Sequence, residues 1–289
     1  MSQSGRAHHS QIWSIGIYTG ESPFSLRPSP NVRNPVLTHA HVTDVAASFV
    51  ADPFMVHEDG VWYMFFEVLN AVTGLGEIGL ATSPNATDWE YRQIVLREPY
   101  HLSYPYVFRW QDDYYMTPET LTPGAIRLYR AEPFPTRWVW VADLVPGRLA
   151  DPSPFRLHDR WWMLACGTPY GHDMLRLFDS AHLTHGWRES PGSPLIRNNP
   201  HIARPAGRVT PWSGGAIRYA QDCYPTYGNR VHAFFADDFS GSAHHEVEMP
   251  EPVLLADPAG DWASSGMHHV DPHPISSGTW IACVDGLKG

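Results

Sequence analysis

With 289 residues, 43% hydrophobic and 17% charged, the chain is long enough for one large domain or two small ones around a substantial core. A formal net charge of -10 with no basic stripe argues against nucleic acid or an anionic membrane as partner. Three cysteines without metal-finger spacing argue against a disulfide framework and suit a cytoplasmic location, and no apolar run nears the roughly 20 residues of a membrane span.

Residues 1–11 are polar and His-containing, and are expected to be disordered. Ile12 to Leu26 alternates apolar and turn residues, as an early strand and an extended arm would. A phrase then recurs. Asp52-Pro53-Phe54 is followed at a ten-residue offset by Trp62-Tyr63-Met64, Tyr104-Pro105-Tyr106 by Tyr114-Tyr115-Met116, and Asp151-Pro152-Ser153 by Trp161-Trp162-Met163. Glu58-Asp59-Gly60 between the first pair is a hairpin turn signal. A period of about fifty residues marks a repeat architecture. A looser fourth unit is expected at Ala216–Asp222 and Arg230–Asp237, and a fifth at His268–Ile275 and Trp280–Asp285.

Five such units predict an all-β fold, a five-bladed β-propeller of four-stranded antiparallel blades around a central channel, forming one domain over residues 12–289. An open ring would leave sheet edges unpaired, so an N-terminal segment is expected to complete the last blade. The first residue of each phrase then faces the channel: Asp52, Tyr104, Asp151, the Gln221/Asp222 pair and His268/His269. The second strands return to the same mouth and bring Glu67, Glu119 and Asp237. Several carboxylates in one pocket push one another's pKa values apart, which separates acid from base. Asp52, Asp151, Glu119 and Asp222 are therefore the catalytic candidates.

Glu67, His101, Tyr104, Gln221 and His269 are the candidates for substrate contact. Arg204 and Arg218 join them, because Arg204, Arg208 and Arg218 cluster where a bidentate partner for a carboxylate or phosphate is useful. His268-His269-Val270-Asp271-Pro272-His273 is rich in ligand types, but no zinc phrase such as HExxH accompanies it, and neither metal nor cofactor is expected. The sequence leaves the oligomeric state open.

A family resemblance rests on Trp13-Ser14-Ile15-Gly16-Ile17-Tyr18, Phe49-Val50-Ala51-Asp52-Pro53-Phe54, Phe65-Phe66-Glu67, His101-Leu102-Ser103-Tyr104-Pro105, Pro118-Glu119, Arg218-Tyr219-Ala220-Gln221-Asp222-Cys223, Tyr227-Gly228 and His268-His269-Val270-Asp271. These segments resemble the propeller domain of plant glucosamine inositolphosphorylceramide transferases and bacterial relatives over about residues 12–286. The transferase domain of the plant proteins is not in this sequence. More distantly, the architecture is similar to five-bladed arabinanases, β-xylosidases and fructosidases. That likeness implies an Asp in the first blade as base or nucleophile, matched by Asp52, and a second Asp that tunes pKa, matched by Asp151. The general-acid Glu implied at the start of blade four is replaced by Gln221-Asp222, which leaves the acid open among Asp222, Glu119 and Glu67.

Three functions follow as expectations. The first is a glycoside-hydrolase-like enzyme acting on a sugar or sugar-like small molecule. The second is a biosynthetic lyase, cyclase or transferase that reuses the pocket, with Tyr104, Tyr106, Trp110 and Tyr224 lining an apolar cavity. The third is a carbohydrate-binding module without catalysis.

Overall fold

The computed structural model describes residues 12–239, 245–276 and 278–289; the segment expected to be disordered, residues 1–11, lies outside them. Five antiparallel sheets form the ring. Blade one is Ala47–Glu58, Val61–Asn70, Gly76–Ser83 and Glu90–Leu96, from the channel outward. Its first hairpin turns at Asp59 and Gly60, both with positive φ, as the Glu-Asp-Gly phrase predicts. Blade two is Ser103–Trp110, Asp113–Glu119, Ala125–Ala131 and Trp138–Pro146, and blade three is Ala150–Leu157, Arg160–Cys166, Leu175–Ser180 and Arg188–Glu189.

Blade five is closed by the start of the chain. Ile12–Ser22 pairs with Thr279–Lys288, which pairs with Val270–Ser276, and Ser25–Pro28 forms the outer edge. Closure removes the exposed edges that an open ring would carry. The only helical turn among the described residues is the 3-10 turn His39–His41, and no helix there is long and apolar enough to cross a membrane.

Blade four differs from the sequence expectation by one strand. Its inner strand is broken into Arg204–Pro205 and Thr210–Trp212, and both pieces pair with Gly215–Asp222, which is the second strand. Arg230–Ala236 is therefore the third, and Gln221 and Asp222 arrive at the mouth from the end of a strand rather than its start. The same shift sends exposed Asp237 to the opposite end, away from the mouth. The break lies at Gly207-Arg208.

Gly207 holds φ 130°, and a Cβ built there would lie 1.8 Å from the carbonyl oxygen of Val270. A backbone oxygen of the neighbouring blade cannot yield as a side chain would. Gly207→Ala is expected to cost about 2–4 kcal/mol through strain and overpacking. Thermal denaturation checks this, since an unchanged melting temperature would show that the blade contact is not tight.

The core lies between blades. Apolar residues alternate along each strand, and each sheet buries both faces against its neighbours. Phe65, Tyr104, Met116, Trp138, Met163 and Phe178 belong to one continuous cluster across blades one to three. At about 1.5–3 kcal/mol per fully buried large side chain, this packing holds the inner strands rigid. A rigid ring is what fixes side chains at the mouth.

Candidate active site

The three repeat phrases share a backbone irregularity. Asp52-Pro53, Tyr104-Pro105 and Asp151-Pro152 each fall within a register shift between the inner and second strands. Asp52, Tyr104 and Asp151 have φ values of 53°, 48° and 51°, in the left-handed region that non-glycine residues rarely occupy. Strain of this kind costs on the order of 1–3 kcal/mol per residue and concentrates at functional sites. Each bulge also aims a backbone N–H at a carboxylate of the preceding blade. Asp52 donates to Asp285 Oδ2 at 3.0 Å, Tyr104 to Asp52 Oδ2 at 3.1 Å, and Asp151 to Glu119 Oε2 at 3.1 Å. The carboxylates are thus joined blade to blade.

Asp52, Glu67, His101, Glu119 and Arg204 line one cavity of about 210 Å³, together with Trp13, Tyr227 and His268. Glu67 and Glu119 occupy equivalent places, opposite Ala51 and Ser103 at the ends of their second strands. Cys166 fills that place in blade three, opposite Ala150. His101 Nε2 lies 3.2 Å from Glu67 Oε1. Burial opposes charge on His101, but its hydrogen bond to Glu67 holds its pKa above 6.5.

Burial and the nearby Asp151 charge push Glu119 up to about 8, against the pull of Arg204. Near neutrality it therefore carries a proton. Asp52 is also raised, by burial and by Glu67, Asp285 and Asp151, while His268 opposes them. Asp151 lies just beneath the cavity. Its carboxylate receives Arg204 Nε at 2.6 Å, Arg204 Nη2 at 3.3 Å and Gln221 Nε2 at 3.0 Å. Arg204 also reaches Glu119 at 3.4 Å, the Pro169 carbonyl and His172.

Other candidates stand apart from the cavity. Tyr104 is fully buried below it, bonded to Ser153 Oγ at 2.8 Å and to both backbone polar groups of Gly207, so it plugs the channel. His269 lies beside Tyr104 and Phe54 with neither ring nitrogen bonded, and burial lowers its pKa to about 4. Asp222 is occupied by His201 at 2.9 Å and by Arg230 and His232 at longer range.

Arg218 is a correction to the sequence reading. It is buried inside blade four, against Glu246, the Ile202 carbonyl and the Phe234 ring, and not at the cavity. Arg208 instead ties Asp271 to the carbonyls of Met55 and Val107 within the channel. Of the aromatic residues expected around one apolar cavity, Tyr106 and Trp110 line a separate pocket and Tyr224 is exposed.

Sequence reasoning did not name Trp13 and Tyr227 as site residues. Trp13 belongs to the closing strand, and no repeat phrase marks that strand as part of the ring. Asp52, His268 and Asp285 offer ligand-type atoms within 4.8 Å of one another. Both Asp285 oxygens and His268 Nδ1 are engaged in hydrogen bonds, while His268 Nε2 is not.

The family described as "Glucosamine inositolphosphorylceramide transferase 1, N-terminal" matches residues 6–287. The rice protein of that name (Oryza sativa subsp. japonica) is 33% identical over 295 residues, which cover 95% of this chain and 40% of the rice protein. The chain thus spans about two fifths of the curated relatives it matches.

Two solved structures share the architecture at low identity. β-1,2-Mannobiose phosphorylase from Listeria innocua superimposes with a TM-score of 0.66 at 12% identity, over 93% of this chain and 96% of that one. The catalytic domain of the GH62 α-L-arabinofuranosidase from Coprinopsis cinerea gives 0.62 at 12% identity, over 96% and 97%. Since the family match runs through every blade, this chain belongs to the glucosamine inositolphosphorylceramide transferase 1 N-terminal family.

Proposed function

We propose that the chain is a carbohydrate-active enzyme that cleaves a glycosidic bond of a sugar or sugar-like small molecule at the channel mouth. The observation that carries this reading is the pair of buried carboxyl groups, Asp52 and Glu119, on one cavity wall, with Glu119 protonated near neutrality. Glycoside hydrolysis uses two carboxyl groups, one giving a proton to the leaving oxygen and the other acting as base or nucleophile. Glu119 gives its proton to the glycosidic oxygen as the C–O bond breaks. Asp52 takes a proton from the attacking water or attacks the sugar itself. Asp151 touches Glu119 and not the substrate, and raises the proton affinity of the acid.

The cavity, at about 210 Å³, is smaller than the roughly 300–1,000 Å³ of common ligand pockets. One sugar ring fits this size better than a chain. The relatives' name makes glucosamine- and inositol-bearing compounds the first candidates.

One observation favours a second reading, a biosynthetic transferase, lyase or cyclase. Blade four brings the guanidinium of Arg204 to the cavity, where the likeness to glycosidases implies a carboxylic acid.

The test is Asp52→Asn assayed on a panel of glycosides, with sugar binding followed by calorimetry. Turnover should fall by about 100-fold or more while binding persists, the size expected for a lost acid–base group. Undiminished turnover would sink the assignment. Binding without turnover in the wild type would leave a sugar-binding module.

A further inference from the structure

His268 stands on the cavity wall at the start of the fifth unit, where the sequence places it facing the channel. Its surroundings fix both the ring and its charge. Asp285 Oδ1 accepts the backbone N–H of His268 at 3.1 Å and lies 2.7 Å from Nδ1, which the carboxylate keeps protonated. Trp13 stacks on the imidazole with ring centroids 4.0 Å apart, and the Tyr227 ring meets it edge-on at 5.3 Å. Gly228 leaves room for this stack, because a Cβ there would lie 2.9 Å from Trp13 and 3.0 Å from His268. The ring has one free nitrogen, Nε2, and it lies 3.7 Å from Asp52 Oδ1.

We propose that His268, oriented by Asp285, is a positioning residue that serves as the counter-cation of Asp52 and allows that carboxyl to ionise inside the closed mouth. The inference rests on the acid–base reading above, in which Asp52 is base or nucleophile. The groups facing Asp52 are the acids Glu67, Asp151 and Asp285, then His268 and His269, with Glu119, His101, Arg204 and Tyr227 further round the wall. The acids and burial all favour the neutral form of Asp52. Arg204 is spent on Asp151, and His101 on Glu67. His269 is neutral because burial lowers its pKa to about 4. His268 is different. Burial opposes its charge, but Asp285 and Asp52 outweigh burial and raise it to about 9. It is the nearby cation left for Asp52.

The consequence has a definite sign. A base must be ionised, so its activity is lost as pH falls through its pKa. Removing the cation raises that pKa and moves the acidic limb of activity upward.

The test uses the full chain labelled at the aspartate carboxyl carbon, with the Asp52 resonance identified by its loss in Asp52→Asn. In His268→Asn the Asp52 titration midpoint should rise by at least one pH unit. An unchanged or lower midpoint would overturn the proposal. Should His268→Asn fail to fold, Asp285→Asn keeps the ring and removes its anchor, together with one of the acids that face Asp52. There the deprotonation of His268, read as a change in Trp13 emission near pH 9 and assigned with Trp13→Phe, should fall by at least one unit. A His268 midpoint that stays near 9 without Asp285 would equally overturn the proposal. Both measurements are independent of turnover, so loss of the hydrolase reading and loss of this inference are separable. If turnover is found, the acidic limb of kcat/KM should shift by the same amount as the Asp52 midpoint.

Discussion

Glu119→Gln is expected to lower turnover by about 10²–10⁴-fold and, above neutral pH, to raise the melting temperature. The two effects have one cause. The folded protein holds the Glu119 proton up to about pH 8, whereas an exposed glutamate releases it near 4.5. Between these values the folded state binds more protons than the unfolded state, so stability falls as pH rises through the interval. Below about 4.5 the group is neutral in both states and costs nothing. A glutamine is neutral throughout, and its oxygen can accept the Asp151 N–H and the Arg204 donor that Glu119 Oε2 now accepts.

The stability gain should therefore be absent at pH 4 and largest above pH 8. Activity runs the other way. The wild type should lose turnover as pH rises through about 8, because the acid must hold its proton, and the variant has no proton to give. Melting curves at pH 4, 6 and 9, with a pH–rate profile, check both. A variant less stable than wild type at pH 9 would show that Glu119 is not a buried neutral acid.

The blades and the mouth were legible in the sequence for one reason: the first three phrases combine a proline, an apolar strand and a hairpin turn at fixed distances. The axial residue of each phrase lies on a bulge, where proline tolerates the missing ladder bond. Blade four resisted because its inner strand is interrupted at Gly207-Arg208, and the pieces are too short to show alternation. Arg204-Pro205 repeats the residue–proline step 53 positions after Asp151-Pro152, but with a cation in place of Asp or Tyr. The longer run Ala216–Asp222 carries the stronger strand signal.

The arginines part company for a related reason. Nearness in sequence says little when one strand separates the mouth, the channel and the blade interior, and these hold Arg204, Arg208 and Arg218 respectively. Asp285 and His268 lie 17 residues apart and meet only because Val270 pairs with Val284. Register of that kind cannot be read before the hairpin is known.

Replacing Arg204 by Met is expected to destabilise the fold by about 3–5 kcal/mol, more than any change made only at the cavity surface. Arg204 is buried and spans two acids of neighbouring blades, holding Asp151 at 2.6 Å and Glu119 at 3.4 Å. Its guanidinium also lies over the Tyr227 ring, 5.2 Å from the centroid. Methionine fills much of the volume but offers no donor. Asp151 is then left buried with Gln221 as its remaining side-chain partner.

The penalty comes from an uncompensated charge rather than from lost contacts, and a double variant separates these causes. Asp151→Asn in the same chain removes the charge while keeping a hydrogen-bonding group beside Gln221. The double variant should recover most of the loss, a coupling that independent sites would not show. Thermal melts of the four chains at pH 7 decide the matter. If Arg204→Met and the double variant are equally unstable, the arginine acts by packing alone, and its place between the two acids has no electrostatic role.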